Sequence, residues 1–445
     1  MAQYGLYAVQ VGGTHIPVTE ASTDPQTNVL RQGGASTIDA TVTALRSAAP
    51  TMTFSTPACK TAIDALGVVG YNVTSGSTVV LWYGNRSDSG GFSASADSVS
   101  VTINEGLITM GPAQVDRNGH VQMQWTVTVS YDGSNAPFAV DRAATAPSVT
   151  ALGELYALHS AVLTYAGPTT QQIPLASGSV NPNTQVFSER GAGDIYPTFV
   201  AVQAHLPAMT VTTPAVATML GHVGVESLKA TSLVMYWGQL SDDGWAGSND
   251  IAWTLDTPLI CLDGINGQHN STATARFTAY GEDDGAVCMT VSTTASAPAV
   301  TSLDEMYTGG PVSFGGDDYQ SLGWSLNMNN RVQHGMTDGV VWPTYAKLSR
   351  RNVSAQARVL DVGQQDWEGA TETDSVLYLR EVSNRGSRTA EGTATHISFT
   401  LASGQVTPSQ GGGQWGDHAV ETITFLPVKD GANDVVAIDT TAAIS

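Results

Sequence analysis

The sequence predicts a mainly β fold: three tandem β-sandwich or rolled-sheet domains, each with at most one short flanking helix. Three observations carry that prediction. The composition favours strands and turns, apolar and polar residues alternate in short runs, and a set of motifs recurs at constant spacing.

Only 13% of the 445 residues are charged, against roughly 25% in an average soluble domain. Gly, Ala, Ser, Thr and Val fill the difference. Thr and Val suit strands, and Ser and Gly suit turns. With 42% hydrophobic residues the chain can bury real cores, and its length suits two to four domains. The formal net charge of −21 argues against binding a nucleic-acid backbone or docking on an anionic membrane. It keeps the protein soluble, and it would also repel DNA from a wall.

Self-similarity is the strongest signal. Asp24-Pro-Gln-Thr-Asn-Val29, Asn181-Pro-Asn-Thr-Gln-Val186 and Asn327-Met-Asn-Asn-Arg-Val332 each precede a Gly-rich turn and an aliphatic segment. Those segments, predicted as strands, are Ile38–Leu45, Ile195–Val202 and Val341–Leu348. Val29 and Val186 lie 157 residues apart, as do Ile38 and Ile195; Val186 and Val332 lie 146 apart, as do Pro197 and Pro343. Constant offsets over separate motifs are what duplication leaves. Leu81-Trp-Tyr-Gly84 matches Met235-Tyr-Trp-Gly238, with Leu377-Tyr-Leu-Arg380 in the same place. Polar loops follow at Ser87-Asp-Ser, Ser241-Asp-Asp and Ser383-Asn-Arg. Each copy closes on Asp-Gly, at Asp132, Asp284 and Asp430, a hairpin signal. Leu152-Gly-Glu-Leu-Tyr156 and Leu303-Asp-Glu-Met-Tyr307 link the copies. The predicted domains are therefore 1–152, 153–303 and a diverged 304–445.

Within a copy, Val99–Ile103 and Gln124–Ser130 alternate as strands do. Helices are predicted over 57–67 and 214–224. Thr56-Pro57 and Thr213-Pro214 supply an N-cap Thr and a first-turn Pro. Cys59, Ala62, Ile63 and Leu66 align with Val216, Met219, Leu220 and Val223, an i, i+3, i+4, i+7 apolar face. Gly67 and Gly224 can end the helices. Copy three lacks the Thr-Pro start near Val359–Trp367, and no helix is assigned there.

No catalytic constellation emerges: there is no GxSxG, HExxH, P-loop or GxGxxG opening a helix. The chain is expected to be no enzyme, with no catalytic, cofactor-binding or metal site and no cofactor. Among the nine His residues, His120, His222, His334 and His396 do not sit at matched repeat positions. Ser241-Asp-Asp-Gly244 and Glu282-Asp-Asp-Gly285 carry carboxylates that suit Ca²⁺, but solvated turns are the plainer reading. Trp82-Tyr83, Tyr236-Trp237 and Tyr378 could mark a sugar-binding face; strand aromatics are more commonly core. Cys59, Cys261 and Cys288 lack CxxC spacing and are read as buried thiols, though Cys261 and Cys288 could face each other on paired strands. The sequons at Asn72, Asn85, Asn270 and Asn352 are expected by chance in so Ser/Thr-rich a chain. No signal segment or apolar run of about 18 residues is present, and synthesis in the cytoplasm without processing is expected.

In order and character, each copy resembles the tail-tube fold of tailed-bacteriophage tail proteins. The shared features are an opening hairpin, a Pro-containing aliphatic segment (Ile195-Tyr-Pro-Thr-Phe199, Val341-Trp-Pro-Thr-Tyr345), a strand-to-helix step at Thr-Pro and a close on Asp-Gly. The resemblance implies a virion protein made in the host cytoplasm. It would self-assemble into homo-oligomeric rings beside other tail proteins and let DNA pass without specific binding. Two chains would supply six domains, or one copy would decorate the outside. The alternatives are a three-domain surface adhesin that binds a receptor or glycan, and a capsid decoration protein.

Overall fold

The computed structural model describes residues 3–32, 39–40, 42–86, 92, 98–134, 136–149, 152–165, 169–241, 244–299, 303, 305–314, 317–360, 370–372, 375–383, 386–412, 419–429, 431 and 434–444. The fold is mainly β, and one strand order recurs three times. In the first unit, one sheet runs Phe138–Ala144, Ser98–Ile103, Val79–Arg86, Gln3–Val11, Thr14–Pro17. The other runs Glu20–Asp24, Thr51–Thr56, Met123–Val129, Gly106–Met110, Tyr71–Val73. Substituting the equivalent strands reproduces both orders in residues 156–295 and 307–442. Among the described residues all the strand pairings are antiparallel.

The alternation seen in the sequence becomes an inside and an outside. Thr51–Thr56 buries Met52, Phe54 and Thr56, and Met123–Val129 buries Met123, Trp125, Val127 and Val129. They meet Val9, Leu81 and Ile103 of the other sheet in one core cluster. In the matched aromatic strands, Leu81, Met235 and Leu377 point inward and are fully buried, as is Trp237. Trp82, Tyr236 and Tyr378 occupy the alternate, half-buried face. Trp237 packs against Trp253 with ring centroids 5.1 Å apart, so it is closed to any sugar. The three thiols are buried and free.

Two helices flank the first two units: α1, Cys59–Leu66, and α2, Val216–Val223. They bury the apolar face expected of them. Their starts differ from 57 and 214. Ala58 (φ −75, ψ 61) and Ala215 (φ −78, ψ 67) are the centres of inverse γ-turns, closed by Cys59 N–H to Pro57 O at 2.8 Å and Val216 N–H to Pro214 O at 2.9 Å. The Thr residues thus precede the helix proper. Thr56 Oγ1 donates to Pro17 O (2.6 Å) and accepts from Ala58 N–H (3.0 Å); Thr213 does the same with Pro174 O and Ala215 N–H. Each hydroxyl ties helix entry to a sheet end. Gly67 and Gly224, both at φ 66, close the helices with N–H bonds to Ile63 O and Leu220 O. Because Thr56 is fully buried and makes both bonds, Thr56→Val is expected to destabilise by about 1–3 kcal/mol, read as a lower denaturant midpoint. An unchanged midpoint would refute that role.

Two further expectations are corrected. Asp132-Gly133 and Asp284-Gly285 do not close hairpins. They carry the chain from Met123–Val129 to Phe138–Ala144, and from Thr274–Tyr280 to Met289–Ala295, which lie in different sheets. The local Asp-Gly signal specifies a tight turn but not which sheet the chain enters next. The Pro-containing segments are not strands throughout. Ile195 and Pro197 precede the strand Phe199–His205, and Val341 and Pro343 precede Tyr345–Arg351, because their carbonyls are used elsewhere. In the first copy the strand is Val42–Ala48; Ile38 lies outside the described residues. So do Ser87-Asp-Ser89, Asp242-Asp243, Asn384-Arg385, Asp430 and the 361–369 stretch of copy three.

Candidate functional site

The residues that join one unit to the next form the most developed constellation on the molecule. Three contacts make each joint, and both joints use the same three.

The first contact is a strand pair. Ala113–Asp116 of unit one pairs with Ser177–Asn181 of unit two: Ala113 faces Val180, Gln114 faces Ser179 and Val115 faces Gly178. In the next joint, the far half of Leu259–Gln268 pairs with Ser321–Asn327 of unit three: Ile265 faces Leu326, Asn266 faces Ser325 and Gly267 faces Trp324. One sheet therefore passes through units two and three and takes in Ala113–Asp116 of unit one. Pro112, which has no N–H to give a ladder, separates Ala113–Asp116 from Gly106–Met110.

The second contact is an arm. In each unit a two-stranded hairpin stands apart from both sheets: Thr27–Gln32 with Val42–Ala48, Thr184–Glu189 with Phe199–His205, and Asn330–Gly335 with Tyr345–Arg351. The Pro-containing tip of each later arm docks on the preceding unit. Ala48 N–H donates to Ile195 O (2.9 Å) and Tyr131 N–H to Pro197 O (2.7 Å). One unit on, His205 N–H donates to Val341 O (2.7 Å) and Asp283 N–H to Pro343 O (3.2 Å). Trp342 stacks on the buried His205 ring at 4.3 Å and 22°. The buried carboxylate of Glu282 accepts from Ala346 N–H and pairs with Lys229 Nζ at 2.6 Å.

The third contact is the helix. α1 lies against Met289–Ala295, where Thr293 Oγ1 donates to Asp64 (2.7 Å) and accepts from Lys60 Nζ (3.1 Å). α2 lies in the same way against Val436–Ala442. The linker Tyr residues complete the joint. Tyr156 O accepts from Val121 N–H and Tyr307 O from Ala273 N–H, both at 2.7 Å. Glu305 accepts from Thr218 N–H of α2 at 2.9 Å.

Burial pushes the thiols of Cys59, Cys261 and Cys288 up to about 12, so they stay protonated. Burial, then the bond to Glu154, raises Tyr156 well above the usual phenol range. The cavity beside α1, about 410 Å³, is lined by His15, Lys60, Glu154 and Tyr156 among others. Its Lys60 is held by Asp64 and its Glu154 by the Tyr156 hydroxyl. Among the described residues no three His, Cys, Asp or Glu gather to hold a metal ion, and no helix is long and apolar enough to cross a membrane. Of the carboxylates weighed for Ca²⁺, Glu282 is spent on the arm and Lys229. Tyr156 and the Ile195–Pro197 tip serve the first joint, Tyr307 and the Val341–Pro343 tip the second, and all were seen as motifs in the sequence. Sequence reasoning missed His205 and the pairing strands, and it weighed Glu282 only as a Ca²⁺ ligand or part of a solvated turn. No protein-family model matches the chain, and no curated protein matches it in sequence.

Proposed function

We propose that this protein is a non-enzymatic structural protein of a virus particle, a component of a bacteriophage tail tube, tail tip or baseplate that assembles into rings. One observation carries this reading: units of one architecture are joined head to tail through strand addition, arm and helix, and the joint repeats. A heterologous contact of that kind generates rings when its rotation closes. Three units in one chain supply three consecutive positions of such an assembly, with their order fixed covalently. The net charge of −21 suits a wall past which DNA slides without sticking.

Electron microscopy of the concentrated, purified protein tests the proposal. Rings whose number of units is divisible by three are expected, and an antibody should label the tail of isolated particles. Protein that stays monomeric at every concentration and never forms rings would overturn it.

A further inference from the structure

The two internal joints specify a third, between chains. We infer that the outer edge of residues 410–412 pairs with Glu20–Asp24 of a second copy of this chain, in the register of the internal joints. This rests on the proposed function only in requiring self-association, and it stands or falls by its own residues.

Among the described residues, both halves of that joint are open in the single chain. Ser177–Asn181 and Ser321–Asn327 have a neighbour on each side, whereas Glu20–Asp24 pairs only with Thr51–Thr56 among the described residues. At matched positions, Val180 and Leu326 are both 0% exposed while Thr23 is exposed. The same contrast runs through the arm. Val29 and Leu45 are exposed at 51% and 39%, and their counterparts Val186 and Val202, Val332 and Leu348 are half-buried. It recurs in the strand that receives the helix: Val140 is 57% exposed, and Val291 and Ile438 are half-buried. Unit one thus presents, uncovered, the three faces that units two and three have covered by a preceding unit. Unit three holds the other half. In Gly404–Gly412 the outer edge is paired with Ala370–Glu372 only at residues 404–406, and among the described residues nothing pairs beyond.

The register follows by counting. Met123, Ala275 and Glu421 are equivalent, since they pair with the equivalent Thr56, Thr213 and Val359. Two residues further along, Trp125, Phe277 and Ile423 pair with Met110, Leu262 and Pro408. Three residues beyond those stand Ala113, Ile265 and Gly411. Ala113 faces Val180 and Ile265 faces Leu326, so Gly411 faces Thr23 of the next chain, and Gly412 faces Ser22. By the same equivalence the first arm reaches back onto unit three, with Ala40 O accepting from Lys429 N–H as Pro197 O does from Tyr131. Exposed strand edges invite such pairing, and a second copy is the occupant because two copies of this joint already exist within the chain.

Cysteine cross-linking tests the register. The native thiols are buried and do not compete. Chains carrying Ser22→Cys with Gly412→Cys, oxidised mildly, are expected to give covalent multiples of 46.3 kDa on a non-reducing gel. Ser22→Cys with Gly411→Cys is expected to give few, because a one-residue slip puts the two thiols on opposite faces. A second variant, Thr23→Lys, changes a residue exposed in the lone chain, so the fold is retained. It should abolish the assembled species in sedimentation. Equal cross-linking of both cysteine pairs, or Thr23→Lys chains that assemble like wild type, overturns the inference. Rings that persist without the cross-link overturn it and leave the proposed function standing. Cross-linked chains absent from viral tails do the reverse.

Discussion

Leu326→Ala is expected to lower stability by about 2–5 kcal/mol, the range for truncating a buried Leu. Thr23→Ala, at the same position of the first unit, should change the dissociated chain by no more than about 0.5 kcal/mol. Leu326 is 0% exposed in a strand with a neighbour from unit two on one side and from unit three on the other. Its truncation removes packing from both, and the cavity cannot collapse without shifting a central strand. Thr23 has a neighbour on one side only. Denaturant titration of both variants below the association threshold measures the contrast. Equal effects would mean that the joint contributes no burial at this position, and the case for an uncovered first unit would fall with it.

Local chemistry made the helices legible. The apolar face Cys59, Ala62, Ile63, Leu66 follows from 3.6-residue periodicity, and it is buried as expected. The Thr-Pro pair was legible as a helix entry, but its detail was not. Whether Thr56 caps the helix or spans to Pro17 depends on a strand end 39 residues away in the chain. The repeat was legible because duplication leaves constant offsets. The joints were not, because Ala113 and Val180 meet through pairing that no local pattern encodes. One signal did point there. At a single repeat position the residue changes from Thr23 to Val180 and Leu326, polar where no described strand of a preceding unit covers the edge and apolar where one does. The arms were misread for a related reason. Ile195-Tyr-Pro-Thr-Phe199 is aliphatic enough for a strand, yet Ile195 O and Pro197 O bond to the preceding unit, which takes the tip out of its own ladder.

The joint between units two and three should also weaken in acid through His205. This ring is 2% exposed, stacked on Trp342, with Thr184 Oγ1 2.9 Å from its Nδ1. Burial lowers its pKa from 6.5 to about 4. Between those values the unfolded chain takes up a proton that the folded ring refuses, so stability falls as pH drops. The contribution is fully present above pH 6.5 and is lost as pH falls toward 4. A shift of this size corresponds to on the order of 3 kcal/mol. Burial lowers His159, His222 and His334 as well, so the wild-type profile alone does not isolate His205. His205→Phe keeps an aromatic ring against Trp342 and removes the titration. The difference in unfolding free energy between wild type and His205→Phe should therefore slope between pH 6.5 and 4 and be flat above 7. A difference that is flat throughout would mean that the ring reaches water, and that the arm does not seal this joint.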